Sequence, residues 1–128
     1  MKTIVILILV TLSQYSYGID RNPLIGKWVL DKDRTISYAK ESGSLTEENK
    51  NIWTESKTIL EFTQNNYVIN YGGDVVSGSY KIVKATDKYV IIVYNNTSTM
   101  ETVYIVNRGI YLVEDEDSNV RVYFSKIK

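Results

Sequence analysis

The chain has 128 residues, with 15 Lys and Arg against 15 Asp and Glu, and it contains neither cysteine nor histidine. That length corresponds to a single domain, and the balanced charge leaves no basic excess for phosphates, which sets nucleic acid aside as a partner. The missing His and Cys exclude Ser-His-Asp and Cys-His catalysis, remove the usual zinc ligands and leave the fold without disulfides.

Met1-Lys2 followed by the apolar run Thr3 to Leu12 and the small residues Ser16 and Gly18 has the pattern of a secretory leader. The run is shorter than the roughly 20 residues of a membrane span. The reading is a leader at 1–18 and a mature domain at 19–128, exported to a periplasm or secreted and free of the membrane after cleavage. Cysteine-free export and the many Asn, Ile, Lys and Tyr residues tilt the compartment toward a bacterial periplasm.

Gly26 to Asp31 is expected to form the first strand, with Gly26, Trp28 and Leu30 on one face. Asp33 to Ser56 changes character: charges are frequent, and Thr35 to Glu41 and Thr46 to Trp53 read as two short helices separated by Ser42-Gly43-Ser44. Thr46 is placed to cap the second, with Asn49 three residues on. Ile36, Ala39, Leu45, Ile52 and Trp53 form the apolar stripe that would lie against a sheet.

From Thr58 to Ile127 the pattern changes again. Seven apolar runs rich in Val, Ile, Tyr and Phe are separated by breaks such as Gly72-Gly73-Asp74, Asn95-Asn96-Thr97 and Asn107-Arg108-Gly109. The runs fit a pleated, half-buried surface and the breaks fit tight turns. Alternation places Leu60, Phe62, Tyr67, Ile69, Tyr71, Val76, Gly78, Tyr80, Ile82, Val120, Val122 and Phe124 on one face. Gly78 in mid-strand suggests a bulge. Tyr89 to Tyr94 is apolar at every position, so either both faces are covered or a tyrosine row lies outside.

With the first strand, the count is eight. The fold class is therefore all-β: an eight-stranded antiparallel up-and-down barrel with a short helical insert between strands one and two. Such a barrel is just wide enough to be filled by side chains or to hold one small ligand.

The chemistry that remains belongs to carboxylates, Lys, Tyr and Ser. Glu61 and Glu101 are the acidic residues inside apolar runs, and they read as solvated strand faces opposite the apolar set. Glu114-Asp115-Glu116-Asp117 lacks the spaced ligands and glycine of a calcium loop and reads as a solvated turn. No catalytic residue, metal site or cofactor is expected. Tyrosine stands out at 11 residues. With Tyr67, Tyr71 and Tyr80 inward, the lining is amphipathic. With Tyr89, Tyr94, Tyr104, Tyr111 and Tyr123 outward, they form an aromatic patch suited to a protein partner.

Gly26-Lys27-Trp28 with Leu30-Asp31, Leu60-x-Phe62, Ser77-Gly78-Ser79-Tyr80, Leu112 and the closing Val122-Tyr123-Phe124-Ser125-Lys126 together resemble the small lipocalin-like, GxW-type barrels of bacteria. The resemblance implies a barrel that holds a small apolar molecule. It also implies a basic residue of the last strand, Lys126 before Arg121, packed across Trp28. The insert is similar to the portal helices of fatty-acid-binding proteins. The expected function is non-enzymatic binding of a small apolar or aromatic ligand, with Trp28 at the closed end and the insert over the mouth. The alternative is a protein-binding module, of the inhibitor or immunity type, acting through a Tyr-rich face. Trp28, Leu60, Phe62, Tyr67, Tyr71, Tyr80 and Phe124 are the candidate interior ligand contacts, and Gly26, Trp28 and Lys126 the structural residues.

Overall fold

The computed structural model describes residues 22–115 and 119–127; the leader read at 1–18 and Glu116 and Asp117 of the acidic run lie outside the described residues. Eight strands, β1 (Gly26–Leu30), β2 (Thr58–Phe62), β3 (Asn66–Tyr71), β4 (Asp74–Ala85), β5 (Tyr89–Tyr94), β6 (Thr99–Val106), β7 (Gly109–Asp115) and β8 (Val120–Ile127), pair in chain order. Every pairing is antiparallel, and β8 returns to β1 to close the barrel. Two helices, α1 (Lys32–Ser42) and α2 (Glu47–Glu55), connect β1 to β2. This is the up-and-down barrel with a helical insert that the alternation predicts.

Local chemistry sets the element ends. Asp31 caps α1 by accepting the Arg34 N–H at 3.1 Å, and Gly43 ends it in the left-handed conformation at φ 77°. Thr46 caps α2 by accepting the Asn49 N–H at 3.0 Å. Gly72 and Gly73, at φ 62° and 120°, turn β3 into β4. The bend in β4 lies elsewhere than expected: pairing with β5 slips between Ile82 and Lys84, while Gly78 pairs regularly with Tyr67. Gly78 is needed for space, since a Cβ there would sit 3.0 Å from the Tyr67 ring.

The inward rows bury Trp28, Leu30, Leu60, Phe62, Tyr67, Tyr80, Val90, Ile92, Val103, Ile110, Val120 and Phe124. One end of the barrel is sealed by the lead-in to β1. Leu24 is fully buried there, and its carbonyl accepts the Trp28 indole N–H at 2.9 Å. The Leu24 N–H donates to Asn22 Oδ1 at 2.9 Å, Asn22 Nδ2 donates to the Tyr80 hydroxyl at 2.6 Å, and that hydroxyl donates to the Thr63 carbonyl at 2.6 Å. Lys126, directly opposite Trp28 in the β1–β8 register, holds its ammonium 5.5 Å from the indole centroid. Gly26, at φ 136°, makes room for that lysine, whose Cε would lie 2.9 Å from an added Cβ.

β8 runs on past the end of β1, and α1 covers the strand there. The Asp31 N–H donates to the Tyr123 carbonyl at 2.8 Å, and the Tyr123 N–H donates to Thr35 Oγ1 at 2.9 Å. The Ser125 hydroxyl donates to Asp31 Oδ2 at 2.7 Å. Buried Thr35 and Ala39 face this seam.

Tyrosines of neighbouring strands meet in one row. Tyr89, Tyr104, Tyr111 and Tyr123 follow one another with centroids 6.5, 4.7 and 5.1 Å apart, and Tyr38 of α1 continues the row 6.0 Å from Tyr123. The Arg121 guanidinium lies 4.4 Å from the Tyr38 centroid and 4.5 Å from that of Tyr111. Arg121 therefore serves this row, and Lys126 alone packs on Trp28. Tyr94 leaves the row predicted for it. It shares the inward parity of Val90 and Ile92, an odd number of residues from Tyr89, and turns into the barrel.

Candidate functional site

At the end opposite Trp28 the barrel is not filled. A cavity of about 550 Å³ lies beneath α2. Leu30, Leu60, Phe62 and Phe124 form its floor, the β3 side chains Tyr67, Ile69 and Tyr71 one wall, and Leu112 and Val122 the opposite wall. Trp53 and Ile52 of α2 lie over it, and β6 contributes Thr99 and Glu101. The helix splits its apolar pair: Trp53 is buried, whereas Ile52 is 55% exposed at the rim and does not join a continuous buried stripe.

Of the interior residues singled out by alternation, Leu60, Phe62, Tyr67, Tyr71 and Phe124 line the cavity. Trp28 and Tyr80 do not, and this corrects their reading as ligand contacts. Both are consumed by the closed end, Trp28 by the Leu24 carbonyl and Tyr80 by Asn22 and Thr63. Tyr94 and Glu101 line it although the sequence reading placed neither there. Glu101 is a second correction. It has the same parity as Val103, which is fully buried, so it points inward and not to solvent.

The polar part of the wall is a short connected set. The Tyr94 hydroxyl donates to Glu101 Oε1 at 2.6 Å. The Tyr94 ring packs edge-on to Tyr67 with centroids 4.8 Å apart, and the Tyr67 hydroxyl donates to Asn96 Oδ1 at 3.2 Å. Burial pushes the Tyr94 hydroxyl far above its ordinary pKa, and the negative charge of Glu101 and the hydrogen bond to it push the same way. Tyr71 is raised by burial and then by the charges of Glu101 and Glu114. No Lys or Arg among the described residues lines the cavity. Among the described residues, the one ion pair is Arg34 with Asp31, on α1.

These hydroxyls carry a pH signature. Tyr71, Tyr80 and Tyr94 all have folded pKa values raised above the ordinary 10.0. The folded protein holds these protons more tightly than the unfolded chain, so their contribution to stability is complete below pH 10 and is lost as alkali ionises the unfolded tyrosines first. Denaturant midpoints measured through this range should drop, and the part of the tyrosinate absorbance due to these three hydroxyls should appear in step with unfolding. Full ionisation of a still-folded barrel would overturn this.

Among the described residues no three acidic groups converge on a common point that could hold a metal ion, and no helix is long and apolar enough to cross a membrane. Compared with known protein families, with curated proteins and with solved structures, the chain matches none of them.

Proposed function

We propose that the protein is an exported, non-enzymatic binding barrel that holds one small, largely apolar or aromatic ligand under α2. The observation that carries this reading is the cavity. Its volume of about 550 Å³ falls in the range of small-molecule sites. Its lining, mostly apolar with tyrosine, serine and threonine hydroxyls, Glu101 at the wall and Glu114 at the rim, is the composition such sites have. One end is sealed and the other is roofed by a short helix, which supports a single route of entry beside α2. The N-terminal leader pattern supports export.

The test is uptake of a neutral apolar dye such as Nile red, together with native mass spectrometry of the protein purified from its own host. Dye fluorescence should rise with saturation at one site. The Val122→Trp variant, which puts a large ring into the cavity from a wall position, should abolish the rise while leaving the circular dichroism spectrum unchanged. Equal uptake by both proteins, or none by either, would remove the proposal.

A second reading has its own observation. The row Tyr89, Tyr104, Tyr111, Tyr123 lies on neighbouring strands away from the cavity, and aromatic side chains with polar tips are enriched where proteins meet. Against it, each ring is half-buried by its neighbours and by Arg121, so much of the apolar area is already covered. A cognate partner whose binding is lost in Tyr104→Lys but kept in Val122→Trp would favour this reading.

A further inference from the structure

We propose that the ligand is cationic: an amine carried on an apolar body, with its ammonium set beside Glu101. This rests on the reading of the cavity as a binding site and names the chemistry of its occupant.

The argument begins with what the cavity wall lacks. Among the described residues, its lining contains one carboxylate set among apolar and tyrosine side chains, Glu101, with Glu114 at the exposed rim, and no basic residue. A carboxylate brought into an apolar wall loses hydration and is ordinarily matched by a cation or by several donors. Glu101 has one donor, the Tyr94 hydroxyl on Oε1, and no other hydrogen bond from a described residue reaches its side chain. Its second oxygen accepts no hydrogen bond from a described residue and can take an ammonium donor.

The surroundings select in the same direction. An anionic ligand, a fatty acid for example, would place its carboxylate against Glu101 with no arginine or lysine to receive it. A neutral ligand would shield Glu101 from water without pairing it. An ammonium pairs it and forms a charge-assisted hydrogen bond. The rings of Tyr67, Tyr71 and Tyr94 line the same cavity and offer π faces to a cation. The apolar body then has the floor of Leu30, Leu60, Phe62 and Phe124 to lie on.

A matched series decides it: decylamine, decanol and decanoate, each displacing Nile red at neutral pH and low salt. Decylamine should bind about tenfold or more tightly than decanol, the scale of one hydrogen bond to a charged group, and decanoate should bind weakest. Glu101→Gln should erase the advantage of the amine over decanol, with an unchanged circular dichroism spectrum showing that the variant is folded. Decanol or decanoate matching the amine would overturn the cationic ligand while leaving an apolar binding barrel standing. An amine advantage that survives in Glu101→Gln would overturn the role of Glu101. Failure of all three to displace the dye, or failure of the dye to bind, would remove the binding reading itself and this inference with it.

Discussion

Trp28→Ala is expected to lower the stability of the barrel by about 3–5 kcal/mol, the range for truncating a large buried aromatic. Trp28 is 5% exposed and belongs to the buried cluster with Leu24, Leu30, Leu60 and Phe62. Truncation opens a void at the sealed end and leaves the Leu24 carbonyl without its indole donor. It also leaves the Lys126 ammonium without a ring to lie on. Domains of this size are stable by roughly 5–15 kcal/mol, so the variant should be near the edge of folding. In urea the midpoint should fall by roughly 2 M, given slopes of about 1–3 kcal/mol per molar. Trp28→Phe should cost less, because it keeps most of the apolar volume and loses only the donor. A Trp28→Ala barrel within about 1 kcal/mol of the parent would mean that the sealed end can collapse onto the gap, contrary to the usual behaviour of close-packed interiors.

Gly109→Ala should be nearly as damaging, for a different reason. Gly109 opens β7 and is buried where that strand passes closest to β8. A Cβ there would lie 2.4 Å from the Phe124 carbonyl oxygen and 3.2 Å from Arg34 Nη1. The first obstacle is backbone, held in the β7–β8 ladder by the pairs Gly109 with Ser125 and Ile110 with Phe124. The second belongs to an arginine whose Nη2 donates to the Asn107 carbonyl at 2.7 Å across the same spot. Relief requires prying the two strands apart, and a cost of about 3 kcal/mol is expected, the upper part of the range for overpacking. Thermal unfolding of Gly109→Ala beside Arg34→Ala, Gly109→Ala tells the two obstacles apart. The double variant should stay low if the carbonyl dominates and recover if the arginine does. An unchanged melting temperature in Gly109→Ala would show that this approach is not tight in solution.

The barrel was legible in the sequence because its runs alternate and its breaks carry Gly, Asn and Asp. The cap Thr46 was legible for the same reason, since local chemistry fixes it, whereas Asp31, read as the end of the first strand, caps a helix that starts at Lys32, three residues before the expected Thr35. Residues whose role depends on a distant strand were harder to read. Gly109 looks like turn chemistry, but the left-handed residue of that hairpin is Arg108, at φ 64°, and Gly109 is needed because β8 and Arg34 approach it. Glu101 sits in a run where both faces are rich in apolar residues, Met100, Tyr104 and Val106 against Val103 and Ile105, so composition did not say which face was inside. The parity shared with Val103 was the available signal. Tyr94 was separable from Tyr89 by parity alone. The empty half of the barrel left no trace in the sequence, because a cavity is a difference between the volume a sheet encloses and the side chains that fill it, and only the closed geometry fixes the first quantity.

The closure of the sheet limits how other proteins can engage this one. Partners often dock by adding a strand to a free sheet edge, where unpaired main-chain groups supply most of the affinity. Here β8 turns back onto β1, and where β1 stops, the Tyr123 N–H and carbonyl are taken by Thr35 and Asp31. At that seam a visiting strand finds no ladder to extend. Recognition at that seam by another protein, or by a second copy of this one, has to be written in side chains, those of the tyrosine row and of α1 beside it.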